Sequence, residues 1–422
     1  MPESDGVLRH AILHHRTPPL NFLTACLCAC TLMAAAASAP ARAAVRLRTY
    51  KSRHYVVHTD LTKVEARGFA GHMDAVFDEY KKRFSHFELR HDEMMDLYLF
   101  RKQDAFVAFL ASHGIPALHT SGIFFVQPDL AGLATWTQGR SQSQTFAVLQ
   151  HEGFHQFAHQ HVGTGLPIWV NEGLAQYFED GVFAGGAMKL GIAHGRRIER
   201  VRQAMRSSES IPFDELVNMS GPQWQRTVTS GDSRAGLLYA QSWLMVYYLA
   251  HGEGGRHRPA FDRYLELVSS NTPGDRAFAK AFNASARAVF GRSWARFAKR
   301  LQPDSLNSAL INMEFLGAGL RLLYERDPGS MPRTITALRQ QLQRLRFRTI
   351  WRQHGFELRA SAMDESIYQY QKGTGPKARF ELLEASGRNL PPRITAQGLC
   401  PTPTLVWSRD AEGQLTHAFN FR

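Results

Sequence analysis

Cysteine is scarce in this chain, and so are long hydrophobic segments. Only 4 of the 422 residues are cysteines, and three of them, Cys26, Cys28 and Cys30, lie together near the amino terminus. Without that segment Cys400 stands alone, and a lone thiol cannot form an intramolecular disulfide. No stretch after residue 43 has the run of about 20 apolar residues that a membrane-spanning helix needs. We therefore expect a fold that relies on its hydrophobic core and has no integral membrane segment after residue 43.

The amino terminus has the features of a secretory signal peptide. Arg9 and Arg16 precede an apolar stretch from Leu20 to about Ala37, and Ala41-Arg42-Ala43 forms a cleavage site. We therefore expect residues 1–43 to be removed and the protein to be exported, to a periplasmic or extracellular location. A membrane anchor is the alternative, although the apolar run is short and rich in small residues. Residues 23–26 are lipobox-like, but little apolar sequence precedes them.

Acidic residues are outnumbered by basic ones. The chain has 50 lysines and arginines against 37 aspartates and glutamates, a formal net charge of +13. Such an excess favours contact with anionic surfaces such as cell-wall polymers, lipid headgroups or nucleic acid. The arginines are scattered, with residues 195–200 and 339–348 as the densest runs, and both runs fit solvated helix faces. Because the chain has no nucleic-acid-binding motif, we expect no nucleic-acid partner.

The most informative segment is residues 151–155, which read His-Glu-Gly-Phe-His. Apolar residues recur around it at helical spacing, and His151 and His155, four positions apart, would share one helix face. Two imidazoles on one face can bind one metal ion. Glu152 would point beside that ion, where it can accept a proton from a bound water. The pattern indicates zinc, whereas the simpler interpretation is two histidines on a half-exposed helix.

The start of this helix and its third metal ligand can also be predicted. Ser141 and Gln144 are spaced as a capping box, with Ser143 as an alternative N-cap. Glycines after residue 162 end the helix, and Pro167 is placed at the first position of the next one. Glu172 on that second helix adds a carboxylate, which leaves one open position, as in catalytic zinc sites. We expect one Zn²⁺ ion.

A rival third ligand is His161, ten residues after His151. That spacing matches the HExxHxxGxxH pattern of metzincins, which places a glycine where this chain has Ala158. The helical pattern continues through His159, and Met219 is only a weak candidate for the methionine turn. These mismatches favour Glu172 and make His161 a residue near the helix end.

The stretch from residue 151 to residue 179 resembles the gluzincin signature. The two histidines are followed by Leu-Pro-Ile-Trp-Val-Asn-Glu-Gly-Leu-Ala-Gln-Tyr-Phe-Glu at residues 166–179. The resemblance is closest to the aminopeptidase-type branch and to the uncharacterised secreted families called peptidase-MA-like. It is close over this stretch and loose over residues 52–300. It implies a gluzincin fold and a zinc metallopeptidase activity.

The resemblance also implies the role of each site residue. His151, His155 and Glu172 would bind the zinc ion, and Glu152 would be the general base. Asn171 would orient a metal-binding histidine, as the asparagine at that position does in many gluzincins.

A tyrosine on a later helix stabilises the oxyanion in gluzincins of this branch. Residues 237–246 resemble that helix and place Tyr239 at a comparable distance downstream, which would make its hydroxyl a donor to developing negative charge. The alternative is that Tyr239, Trp243 and Val246 form an ordinary core stripe. The aminopeptidase branch also has a Gly-x-Met-Glu-Asn strand, which binds a free amino terminus. Residues 121–127 have no acidic residue, so an endopeptidase or another specificity is expected.

The pattern of the whole chain predicts an α+β fold. Strands are expected at residues 53–59, 96–101, 123–126 and 133–136, with helices at 63–84 and 104–112. This small mixed sheet would lead into the active-site helix and then into a mainly helical lobe. A boundary at Pro303–Asp304 divides a gluzincin-like domain, residues 44–304, from a mixed α/β accessory domain, residues 305–422.

The sequence thus predicts a secreted zinc-dependent peptidase that acts on a peptide or protein substrate. One alternative is a non-catalytic envelope binding or scaffold protein with a structural zinc site, although such a site has no need of Glu152. Another is a zinc amidase that acts on cell-wall peptides with the same residues.

Overall fold

The computed structural model describes residues 45–85, 87, 93–116, 120–184, 187–230, 234–282, 284–353, 356–368 and 379–422. The predicted signal peptide, residues 1–43, lies outside the described residues. The described part is α+β, as expected from the sequence.

The amino-terminal region is a mixed sheet with two helices. Its elements are β1 (Arg48–Lys51), β2 (Tyr55–Thr59), α1 (Lys63–Arg83), β3 (Met95–Phe100), α2 (Gln103–Ser112), β4 (Gly122–Gln127) and β5 (Leu130–Trp136). The strand order is β1-β2-β3-β5-β4, with parallel inner pairs and antiparallel outer pairs. The crossover from β2 to the parallel strand β3 runs through α1, which begins at a Thr62–Glu65 capping box. This topology leaves β4 at one edge of the sheet.

The region after the sheet is mainly helical, as predicted. Its elements are α3 (Gln142–Phe157), α4 (Ile168–Glu179), β6 (Val182–Ala184), β7 (Ala187–Lys189), α5 (Gly195–Arg206), α6 (Phe213–Asn218), α7 (Gly221–Thr229), α8 (Arg234–His251), α9 (Arg258–Ser269), α10 (Gly274–Phe282) and α11 (Ala284–Arg300). One hydrophobic cluster joins α1, α3, α4 and α8, with Phe154, Trp169 and Trp243 fully buried in it. The site helices are thus set in a continuous core.

The carboxy-terminal region has a second hydrophobic cluster, which includes Leu316, Leu342, Ile394 and Leu405. Its elements are α12 (Ser305–Arg326), α13 (Ile335–Arg344), β8 (Arg348–Gln353), β9 (Phe356–Ser361), β10 (Arg379–Leu383), β11 (Arg393–Gln397), β12 (Pro403–Arg409) and β13 (Leu415–Phe421). The last four strands form an antiparallel sheet in sequence order, and β8 and β9 form a separate hairpin.

The carboxy-terminal region contacts the first turn of α3. Ser141 Oγ donates to Glu314 Oε1 at 2.9 Å, while the other carboxylate oxygen of Glu314 lies 2.9 Å from His417 Nε2. Ser141 also accepts the backbone N–H of Gln144, which completes the predicted capping box. The same serine therefore begins the helix and joins it to α12.

The sequence predicted no membrane-spanning segment after residue 43 and a single cysteine, Cys400, outside the amino-terminal segment. None of the helices in the described residues is long and apolar enough to cross a membrane. Cys400 is an exposed free thiol.

Candidate metal centre

Helix α3 carries His151 and His155 on one face. Phe154 and Phe157, on the same helix, are fully buried in the core and hold it in position. The α-helix ends at Phe157, and a π-helical turn follows over Ala158–Val162. Gly163 then ends the turn with a φ of 110°, a conformation that favours glycine, as the sequence predicted.

Helix α4 places Glu172 opposite the two histidines. Pro167, the predicted first helical residue, is its N-cap, and the helix begins one residue later at Ile168. The Oε2 atom of Glu172 lies 3.4 Å from His151 Nε2 and 3.6 Å from His155 Nε2. One ligand atom from each of the three side chains lies within 4.8 Å of the others. The three predicted ligands therefore come together.

These distances fit a bound metal ion. Three ligands at 2.0–2.1 Å from a tetrahedral ion lie about 3.3 Å from one another. The two measured Nε2–Oε2 distances are close to that value. Glu172 Oε2 is buried and accepts no hydrogen bond from the described residues. Burying a carboxylate oxygen without a partner is costly, and a bound metal ion would remove that cost.

The far nitrogen of each histidine ring has a polar partner. Nδ1 of His151 lies 3.0 Å from Glu179 Oε2, and Nδ1 of His155 lies 3.2 Å from Asn171 Oδ1. Both partners are acceptors, so each Nδ1 carries the proton and each Nε2 keeps a lone pair for a metal. The contact between Asn171 and a ligand histidine agrees with the resemblance described above.

Glu179 belongs to a buried ionic cluster that we did not predict from the sequence. Its second oxygen, Oε1, lies 3.1 Å from one guanidinium nitrogen of Arg197. The other terminal nitrogen of Arg197 contacts the carboxylate of Asp180. All three side chains are nearly inaccessible to solvent, at 5–6 % exposure. Burial alone would lower the pKa of Arg197, but the two carboxylates raise it, so the residue stays charged. Burial raises the pKa of Asp180 to about 7, so the carboxylate that lies directly behind His151 is that of Glu179, and it favours a cation at the centre.

Glu152 is held by the backbone of the sheet edge. Its Oε2 accepts the backbone N–H of Phe124, on β4, at 2.9 Å. Gly122 on the same strand allows this approach, because a Cβ there would lie 2.5 Å from Val148 Cγ1 and 3.2 Å from Glu152 Cγ. The predicted general base is therefore placed between the candidate metal ligands and β4, the edge strand of the described sheet.

Helix α8 packs closely against α4 beside Glu172. A Cβ at Gly173 would lie 2.6 Å from Val246 Cγ2 and 2.7 Å from the backbone oxygen of Ser242, so glycine is required for this contact. Tyr239 lies about one helical turn before Ser242 on the same helix. Its side chain is 9 % exposed and its ring meets Trp224 edge to face, with centroids 5.2 Å apart. The part that Tyr239 plays in stabilising an oxyanion stays a prediction.

The rival ligand His161 lies in an aromatic environment. Its buried ring contacts Phe77 and Phe157, with centroid distances of 5.5 and 4.9 Å. His161 is not a member of the three-residue group around Glu172. His159, in contrast, is exposed and lies 5.5 Å from the ring of Phe124 on the edge strand.

The charged groups of the site shift the pKa values of His155 and Glu172. Burial disfavours protonated His155, but the carboxylates of Glu172 and Glu152 outweigh that effect and raise its pKa. Burial would likewise raise the pKa of Glu172, and the neighbouring imidazoles of His155 and His151 instead hold it well below its usual range. The site is thus arranged around positive charge, which a metal ion would also supply.

One comparison with known families covers this region. Residues 145–275 match a family model described as a protein of unknown function (DUF1570). The matched segment begins within α3 and ends within α10, so it contains the three candidate ligands, Glu152 and the Glu179–Arg197 pair. The comparison with curated proteins finds no match.

Proposed function

We propose that the protein is a zinc-dependent peptidase whose water nucleophile is activated by Glu152. The observation that carries the proposal is the arrangement of His151, His155 and Glu172, with both Nε2 atoms facing one carboxylate oxygen. A zinc ion bound there would supply Lewis acidity toward a carbonyl oxygen and toward water. The gluzincin resemblance of residues 151–179 supports the same assignment.

Glu152 has the position and surroundings of a general base. It is 6 % exposed and adjacent in sequence to His151, and its Oε2 is oriented by the Phe124 N–H. A carboxylate fixed in this way can accept a proton from water and return it to the leaving amine. A structural metal site would need neither the charge nor this orientation, so the contact favours catalysis over a structural role.

The substrate would lie along the outer side of the edge strand β4, the side that faces away from β5. The Phe124 N–H points away from β5 toward Glu152, so the outward-facing backbone groups of β4 line the same side as the base. An extended peptide can pair with such an edge as an added strand, and this brings a backbone carbonyl rather than a terminus to the centre. We therefore propose internal peptide bonds, in line with the absence of an acidic residue at residues 121–127.

The proposal is tested by metal analysis together with cleavage of a mixed peptide library, extended to cell-wall peptide fragments. We expect one zinc ion per chain and cleavage that a chelator abolishes and zinc restores. The matched variant is Glu152→Gln, which keeps size and polarity but cannot accept a proton. It should retain zinc and lose at least about a hundredfold in turnover.

Three outcomes separate the proposal from its alternatives. Turnover of Glu152→Gln close to wild type would exclude the mechanism. Stoichiometric zinc without cleavage of any peptide would favour a binding protein with a structural site. Cleavage restricted to wall fragments would identify an amidase that uses the same residues.

A further inference from the structure

The hairpin β8–β9 presents a basic face that the proposed catalytic function does not use. Residues 333–361 contain seven arginines and a single acidic residue, Glu357. They include the whole of the dense arginine run, residues 339–348, for which the sequence predicted a solvated helix face. The structure divides this run between the end of α13 and the first strand of the hairpin.

The register of the hairpin defines which side chains share the outer face. Arg348 pairs with Ser361 and Ile350 pairs with Arg359, and residues directly opposite each other point to the same side of a two-stranded sheet. Arg348, Ile350 and Arg359 are all exposed. The intervening pair, Thr349 and Ala360, faces the other way, and Ala360 packs against the carboxy-terminal core.

Two more exposed residues extend this face at the base of the hairpin. The backbone N–H of Ala362 donates to Phe347 O at 2.9 Å, and Arg346 and Met363 are the next residues along the chain at this base. We call Arg346, Arg348, Ile350, Arg359 and Met363 the basic hairpin face.

This face combines positive charge with exposed apolar side chains. In the described part of the chain, Ile350 is 60 % exposed and Met363 is 61 % exposed, and Ile350 pairs directly with Arg359. Single exposed apolar residues are common on protein surfaces, but here two of the most exposed ones belong to a hairpin that also carries exposed arginines. Charge and apolar exposure at one place together indicate a ligand that offers both negative charge and a hydrocarbon phase.

We propose that the basic hairpin face binds the surface of an anionic lipid bilayer. Arginine side chains would contact the lipid phosphates, while Ile350 and Met363 would enter the boundary between headgroups and acyl chains. A soluble polyanion would satisfy the arginines but would leave the two apolar side chains exposed, so the lipid surface accounts for more of the face. The proposal is independent of the metal centre.

The test is sedimentation with vesicles of equal parts phosphatidylglycerol and phosphatidylcholine, compared with vesicles of phosphatidylcholine alone. All chains begin at residue 44, because the apolar stretch at residues 20–37 would itself bind lipid. We expect the wild-type chain to bind the anionic vesicles and not the zwitterionic ones. The triple variant Arg346→Gln, Arg348→Gln, Arg359→Gln should lose roughly a hundredfold in partitioning.

Two further variants separate this site from a general charge effect. The control triple variant is Arg67→Gln, Arg276→Gln, Arg296→Gln, which removes the same charge from exposed positions elsewhere. It should reduce binding to the anionic vesicles by less than about tenfold. Ile350→Ser with Met363→Ser should weaken binding by about tenfold even in high salt. Since all of these side chains are exposed, each variant should keep the wild-type circular dichroism spectrum and melting temperature.

The proposal is overturned if the wild-type chain shows no preference for anionic vesicles. It is also overturned if the control triple variant loses as much binding as the hairpin triple variant. If Ile350→Ser with Met363→Ser binds as the wild type does and polyphosphate displaces the protein, the face is a polyanion site and not a lipid site.

Discussion

His151 and Glu179 are joined behind the candidate metal centre: Nδ1 of the histidine lies 3.0 Å from Oε2 of the glutamate, and both side chains are buried. The bond fixes the ring orientation and leaves Nε2 unprotonated toward Glu172. Arg197 in turn holds the other oxygen of Glu179, so a ligand on α3 is positioned by residues at the end of α4 and on α5. Carboxylates behind a metal-binding histidine commonly increase metal affinity.

Replacing Glu179 should therefore weaken metal binding directly. We expect Glu179→Ala to reduce zinc affinity about 10- to 100-fold, because His151 loses both its orienting partner and the negative charge behind it. The measurement is competition for zinc with a chromophoric chelator, which requires no turnover. Glu199→Ala, which changes an exposed glutamate of α5, is the control and should leave affinity unchanged. Unchanged affinity in Glu179→Ala would show that this contact does not support the metal.

Arg197 should matter for folding stability. Arg197→Met leaves Glu179 and Asp180 buried without their cation, and we expect a loss of about 3–5 kcal/mol in the free energy of unfolding. The control is Arg206→Met, because the Arg206–Glu199 pair is 63 % and 59 % exposed and such surface pairs contribute about 0–1 kcal/mol. Urea unfolding of the metal-free chains measures both. Equal stability of the two variants would contradict the role of the buried cluster.

The choice of the third ligand can be decided by two substitutions. Glu172→Ala removes the carboxylate that faces both histidines and should lower zinc affinity by at least about a hundredfold. His161→Ala should retain wild-type affinity, because its ring packs against Phe77 and Phe157 outside the three-residue group. Zinc titration followed by calorimetry gives both values. The reverse pattern would make His161 the ligand.

His72 should make stability depend on pH. Burial lowers its pKa to about 3 from 6.5, although a bond to Gln150 partly opposes the shift. Gln150 donates its amide to backbone oxygens, so its Oε1 faces His72 Nε2 at 3.1 Å and accepts the ring N–H. Below pH 6.5 the unfolded chain binds a proton that folded His72 does not, so this stabilising contribution is complete above pH 6.5 and is lost as the pH falls.

The size of this effect can be measured against a neutral variant. Between pH 7.5 and pH 5 the wild-type chain should lose about 2 kcal/mol more unfolding free energy than His72→Gln, whose amide can also donate to Gln150. Urea unfolding at the two pH values provides the comparison, and the remaining histidines cancel because both chains contain them. Identical pH dependence in the two chains would show that His72 titrates normally in the folded state.

Much of the fold could be predicted because the relevant signals are local. Helices α1, α3, α4 and α8 have apolar residues at helical spacing over two turns or more, and each begins within three residues of prediction. The α-helical part of α3 ends earlier than expected, at Phe157, and a π-helical turn fills the distance to the predicted glycine. Strands β1, β9 and β11 and the hairpin β6–β7 were not predicted, and they are only three to six residues long. Segments this short have too few alternating positions to reveal a strand, and long-range pairing decides them.

The sequence by itself determined which residues could form the metal centre. Two histidines four apart on a helix share a face whatever the rest of the chain does, and the helix signals before Glu172 are equally local. Only the tertiary structure decided what surrounds that centre. Phe124 reaches Glu152 across 28 positions and Arg197 reaches Glu179 across 18, so neither contact has a periodicity that a sequence could display. Such contacts depend on how α4, α5 and the edge strand pack around one buried core.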